Sequence, residues 1–469
     1  MGGFFNAGEQ KIRSGVYQRI ENNGGAITAG AVDGICAAVF KSDWGPLGTV
    51  MVLASENDLN KHFGSGQTVD VAVEQFRGGA RTVKAVRLGT GGTVSKVSLK
   101  DNGASAVSVL DVESKYPGTR SFSVTVRDAL EDETKREVLI FEGTYQRDKF
   151  SVAKGDNEVS GLLAAFEEQG SDWVNIKKAS SYKDGALAAV NQTEMTPGTN
   201  PTVTNESYSE AFSLLESQDF NRLAIDSEET GVHLTLASYM NRMYGLGKLT
   251  VAVIGEPSNV DFSTRAQHAA AFNSELIEYV GGGFYDTAGN KYEGYRAAAR
   301  VSGMFASISS SGNFTHAVVS GADIVTETLT NYQYETAKQS GMILFSTSAK
   351  GAVWIDEAIN TLVSLPEDKD AGWKKVKRTK IRFELINRIN ESISELQVRN
   401  NNNGRSAVIQ TAQGVCNDMV GEEKLESGAL VELDSNNPPQ GESAWFTITA
   451  DDIDALEKIY LTFRFRFSS

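Results

Sequence analysis

Cysteine is nearly missing from this chain. In 469 residues only Cys36 and Cys416 occur, far apart and in no C-x-x-C pair. That argues against a disulfide scaffold and a thiolate zinc site, and it fits a reducing compartment. Long apolar runs are missing too. No stretch reaches about 18 uninterrupted apolar residues. The opening MGGFFNAGEQKIRSG has no apolar signal core, so a soluble chain made inside a cell is expected. Positive charge is also short: 45 Lys and Arg face 60 Asp and Glu, a formal net charge of −15. Phosphate binding needs a basic surface, so no nucleic acid partner and no membrane insertion are expected.

Enzyme signatures are missing as well. His62, His233, His268 and His316 form neither H-x-x-x-H nor H-E-x-x-H, so no metal site is expected. No G-x-S-x-G nucleophile elbow occurs. The stretch GLGKLT (245–250) imitates a phosphate loop, but Arg242 stands where the loop needs glycine and Leu249 follows Lys248 where it needs Ser or Thr. A turn between a helix and a strand explains it better. TGGT (90–93) lacks G-x-G-x-x-G spacing, and Cys416 in QGVCNDMV reads as a buried apolar thiol. Asp226, Glu228 and Glu229 follow a strand, where α/β enzymes place sites, yet acidic loop residues often have no role. The reading is a scaffold without catalytic residues or a cofactor; an α/β enzyme with an unrecognised site is the rival.

What is present is an alternation of patterns. From Ile35 to about Leu88, ICAAVFKSDWGPLG, SENDLNKHFG (capped by Ser55) and TVKAVRLG give strand, helix, strand. Between 93 and 178, SAVSVLDVES, RSFSVTVRDA and REVLIFEGTY are β-rich, which predicts an inserted domain. From about 205 to 350 the alternation returns in YSEAFSLLES, FNRLAIDS, GVHLTLASYMNRMYGLG, LTVAVIGEP and RAQHAAAFNSELIEYV. A long amphipathic helix over about 371–398 follows, with Val376, Phe383, Ile386, Ile389 or Ile393, and Leu396 at helical spacing. The expected fold is multidomain α/β: a doubly wound α/β core, an inserted β-rich domain, a C-terminal α+β domain, and extended N- and C-terminal strand arms. The boundaries fall at 1–25 (N-terminal arm), 26–92 and 179–350 (core), 93–178 (insertion), 351–457 (C-terminal domain) and 458–469 (C-terminal arm).

The start of that helix is a basic run, GWKKVKRTKIRFELI, in an acidic chain. Cations at a helix N-terminus oppose the macrodipole. An electrostatic contact with an acidic partner would compensate; a solvated helix face is the plainer account.

The two ends share a pattern. In EKIYLTFRFRFSS, Ile459, Leu461, Phe463, Phe465 and Phe467 alternate with Tyr460, Thr462, Arg464 and Arg466, one apolar face of a strand. Near the start, Ile12, Val16 and Ile20 share one face, with Tyr17 on the other. Asn- and Gly-rich stretches at Asn22–Gly25 and 434–442 read as flexible joints behind these arms. The terminal strand either folds back as a sheet edge or adds to a neighbouring copy. A heterologous contact of the second kind that does not close builds a helical tube.

These stretches resemble the contractile tail sheath proteins of phages and phage-tail-like bacteriocins. KIRSGVYQRI is similar to the family's opening, with Ser14 where proline is usual; SKYPGTRSFSVTV (114–126), RAAARVSGMFAS (296–307) and GAVWIDEAINTLVSLPEDKDAGWKKVKRTKIRFELI (351–386) follow in family order. The resemblance implies a subunit whose arms (Ile12, Val16, Tyr17, Ile20; Ile459, Leu461, Phe463, Phe465, Phe467) join adjacent copies' C-terminal domains. Rings stack around a tail tube protein and meet baseplate and tail terminator proteins. Contraction then drives the tube through a target envelope. It implies a virion tail or bacteriocin particle assembled in the host bacterial cytoplasm, with Lys374, Lys375, Lys377 and Arg378 facing the tube. A self-assembling shell that does not contract is the alternative.

Overall fold

The computed structural model describes residues 2–4, 16–18, 33–457, 460 and 462–464. Two compact units divide the chain: Met1–Ala38, Val71–Lys84 and Leu215–Ser469 form the first, Val39–Asp70 and Ala85–Leu214 the second. The architecture is mixed α/β with several sheets.

The main sheet of the first unit places Met342–Ile343, Ile277–Val280, Val251–Gly255, Arg222–Ile225, Ile35–Phe40 and Thr82–Arg87 side by side in that order. The pairings of Arg222–Ile225, Val251–Gly255, Ile277–Val280 and Met342–Ile343 are parallel. Every residue of Arg222–Ile225, Val251–Gly255 and Ile277–Val280 is buried. Parallel strands covered on both faces read as continuous apolar runs, which is why VAVIG announces itself. A charged pair sits in this core: Arg222 meets Glu278 (Nη2–Oε1 3.0 Å), both almost fully buried.

Helix Tyr295–Ser307 is buried from Ala297 to Ala306, and its small residues explain how. A Cβ on Gly303 would stand 2.1 Å from the Gln75 carbonyl oxygen, and one on Gly78 2.4 Å from that of Arg300. Two helix backbones therefore touch where RAAARVSGMFAS supplies glycine. Beside the contact, Arg300 grips the fully buried Glu74 through Nε (2.9 Å) and Nη2 (2.5 Å).

GLGKLT lies between helix Thr230–Gly245 and strand Val251–Gly255, as the turn reading expects, with Gly247 at φ 79°. In the second unit, sheets run Tyr145–Ala153, Lys135–Glu142, Ser123–Asp128, Val190–Glu194 and Val174–Lys178, Ser108–Ser114, Lys96–Lys100. They pack on a core that includes Trp44, Phe122 and Phe150. Ser55 does cap helix Glu56–Phe63, accepting from the Asp58 amide at 3.2 Å.

The C-terminal part differs most from expectation. The helix read over 371–398 is a 3-10 turn, Ala371–Lys374, followed by α-helix Val376–Ser394. A second helix, Asn402–Gly421, carries Cys416, which is fully buried. The two pack with Leu425 and Val431 around a small core. The stretch 434–442 is not a joint behind an arm. It connects Leu430–Leu433 to Phe446–Thr449, which pair with each other antiparallel. Asn22–Gly25 lies outside the described residues. Among the described residues, no helix is long and apolar enough to cross a membrane.

Candidate functional site: the terminal hairpin and the basic helix

The carboxyl ends of the parallel strands, where an α/β enzyme would keep its site, are occupied by structural contacts. Glu228 accepts from the Tyr295 amide at 3.2 Å, capping that buried helix, and burial raises its pKa. Glu229 stands at the N-cap of Thr230–Gly245, and Asp226 is buried. His233 holds the Ser227 carbonyl oxygen at 2.8 Å, and burial lowers its pKa. His268 meets Glu256 at 3.0 Å. Among the described residues no three His, Cys, Asp or Glu side chains gather as metal ligands.

Among the described residues the terminal hairpin is a sheet of two strands, four residues each. Its two flanks differ. On the Leu430–Leu433 side, Gln413 from the neighbouring helix behaves like a short piece of strand. Its Oε1 accepts from the Val431 amide and its Nε2 donates to the Ala429 carbonyl oxygen, both at 3.1 Å. On the other side nothing described pairs with Phe446–Thr449. The Asp434 amide donates to the Trp445 carbonyl oxygen. Ladder alternation then turns the backbone groups of Phe446 and Ile448 outward. Leu430 and Ile448 are large apolar residues at the surface (49% and 37% exposed). The open flank is a strand acceptor in geometry.

The basic run is neither a bare face nor a free patch. Lys374 Nζ donates to the Val363 carbonyl oxygen (2.5 Å). Lys377 is buried and donates to that of Ser311 (3.2 Å); burial lowers its pKa. Lys380, also buried, donates to the Phe305 and Ala306 carbonyl oxygens (3.2 and 3.1 Å) and pairs with Asp33 (2.6 Å). It thus serves the C-terminal end of Tyr295–Ser307, where a cation is favoured. Lys375 reaches both Asp454 and Glu457 at 2.8 Å. Arg378 is bidentate to Asp452 (2.8 and 2.5 Å), and Arg382 joins the same carboxylate (2.9 and 3.2 Å). Burial works against the Asp452 charge, but the two guanidiniums hold its pKa below the ordinary value. The macrodipole conflict in the sequence is thus answered within the molecule. Gln413, Asp452, Asp454 and Glu457 were not singled out from sequence. DDIDALE (451–457) carried the signal, an acidic run opposite in sign to the basic one.

Of the arm residues, Val16 and Tyr17 lie in strand Val16–Gln18, which pairs in parallel with Gly2–Phe4. Ile12, Ile20, Ile459, Leu461, Phe465 and Phe467 lie outside the described residues. Phe463 is 74% exposed and is not in a strand.

Residues 202–361 match the family model for the phage tail sheath protein central domain. Two Bacillus subtilis proteins are similar in sequence. The uncharacterized protein YqbK is 22% identical over 98% of this chain and 98% of its own. The phage-like element PBSX protein XkdK is 23% identical over 84% and 82%. Among solved structures, the sheath tail protein of Desulfitobacterium hafniense aligns with TM-score 0.70 at 20% identity, covering 94% of this chain and all of the other. That of Listeria innocua gives 0.69 at 20% identity, covering 90% and 96%. A sheath complex of an extracellular contractile injection system, PVC, solved in its contracted state, gives 0.55 at 10%, covering 97% and 98%. The family model and the three solved structures are of sheath proteins, not of enzymes. Residues 202–361 thus resemble the phage tail sheath protein central domain, inside a fold similar to that of sheath tail proteins over nearly the whole chain.

Proposed function

We propose that this chain is a tail sheath subunit that polymerises into a helical tube around a tail tube and drives that tube through a target envelope by contracting. The observation that carries the reading is the half-finished terminal hairpin. A two-stranded sheet is marginal alone, and among the described residues nothing pairs with its flank Phe446–Thr449. The alternating C-terminal segment 459–467 is the donor type such a flank accepts, with backbone hydrogen bonds supplying affinity and alternate side chains fixing register. The sheet grows outward from that flank, one arm of a neighbouring copy upon the next, with Ile12–Ile20 as the second donor. Likeness to a sheath solved in a contracted state supports contraction over an inert shell. Lys374, Lys375, Lys377 and Arg378 have partners inside the chain, so in this reading they shape the domain that lies near the tube.

Ile448→Pro tests the acceptor. Its amide takes no part in the hairpin ladder, so proline there costs the chain little but blocks an incoming strand. Purified protein should form striated hollow tubes in negative stain and the variant should stay unassembled with an unchanged melting curve. Normal tubes from Ile448→Pro would rule out this flank as the acceptor.

A further inference from the structure

The acidic run 451–457 crosses the basic helix just before the C-terminal arm begins. Backbone bonds hold its start: the Glu426 amide donates to the Asp451 carbonyl oxygen, and the Ile453 amide to that of Lys424, both at 3.0 Å. Past Ile453 the described residues have no regular structure, and Asp454 and Glu457 are fixed to the body by side chains. Lys375 takes both carboxylates, and Thr315 Oγ1 donates to Glu457 Oε1 at 3.2 Å. Asp452, with its side chain only 7% exposed, sits between Arg378 and Arg382. Three cations thus meet three carboxylates within six residues of chain. Among the described residues beyond them, Tyr460 is 89% exposed and Phe463 74%.

We propose that Lys375, Arg378 and Arg382 are a clamp on the root of the C-terminal arm, fixing the point and direction in which the arm leaves its own body toward a second copy of this chain. The inference rests on the sheath reading for what the arm does, but the clamp itself is a property of a single molecule. An isolated surface ion pair would be too weak for this work. Here the Arg378 contact is bidentate, Asp452 is screened from water and shared with Arg382, and Lys375 holds two carboxylates at once, the case in which ion pairs do hold. The anchorage of the arm therefore lies at 452–457, not at the 434–442 loop. Tension on the arm passes through these contacts into helix Val376–Ser394.

The test is a distance measurement on the unassembled full-length protein. Leu456→Cys and Gln410→Cys are both at exposed positions, whereas native Cys36 and Cys416 are buried, so spin labels go where intended. With the clamp intact, pulsed electron resonance should give one narrow distance. Lys375→Glu should replace it with a broad distribution, and the swap Lys375→Glu with Asp454→Lys and Glu457→Lys should restore the narrow peak. Asp452→Asn should also broaden it, with circular dichroism reporting that the fold is kept. A narrow peak that survives Lys375→Glu, or a swap that stays broad, overturns the clamp. Because the readout needs no polymer, it fails or succeeds apart from whether the chain forms tubes.

Discussion

Lys380 shows what a single buried charge does here. Removed from water, its ammonium is pushed down to about 8, with Asp33 opposing the shift. An unfolded chain returns it to about 10.4. Between those values the unfolded state binds more protons than the folded one, so stability rises with pH across that window. Lys380→Met should erase that part of the rise, a difference of about 3 kcal/mol at most between pH 8 and pH 10.5. Urea midpoints of both proteins at the two pH values would measure it; parallel curves would show that Lys380 does not titrate on unfolding. Some residues were readable at this scale. Cys416 and the Ser55 cap need only their immediate neighbours for the argument. Lys380 was not, because its partners Asp33 and Phe305 lie far away in sequence.

Elements with strong periodicity were legible: the buried strand Val251–Gly255 and helix Thr230–Gly245 lie where VAVIG and GVHLTLASYMNRMYG put them. The terminal hairpin was not. Its strands are four residues long, too short to display a period, and the Asn-, Pro- and Gly-rich 434–442 between them has a linker's composition. Helix-on-helix contact was likewise hidden, since Gly303 looks like a weak point in a helix until Gln75 is placed against it. Gly303→Ala forces those two helices apart, because the obstacle is a backbone oxygen that cannot turn away. Overpacking of this kind costs about 1–3 kcal/mol. A lowered chemical-denaturation midpoint should follow; an unchanged one would mean the helices shift freely.

At the scale of the whole molecule, the sheath likeness was legible because several stretches keep family order, while no single one decides it. The basic helix was misleading for a physical reason: a charge run states its sign, not the address of its counter-charges, and DDIDALE lies 70 to 80 residues downstream. Deleting 459–469 should leave the folded body and the clamped acidic run intact, yet abolish tubes in negative stain. Regular tubes from that truncation would end the donated-strand account. Gln413 has a consequence for the ends of the polymer. If the proposed donated-strand assembly holds, a flank plugged by Gln413 leaves acceptor and donor on different surfaces of each subunit, so such a column would terminate differently at its two ends. In that assembly the last layer at one end would need a cap that brings a strand of its own, and the first layer at the other a cap that supplies a groove.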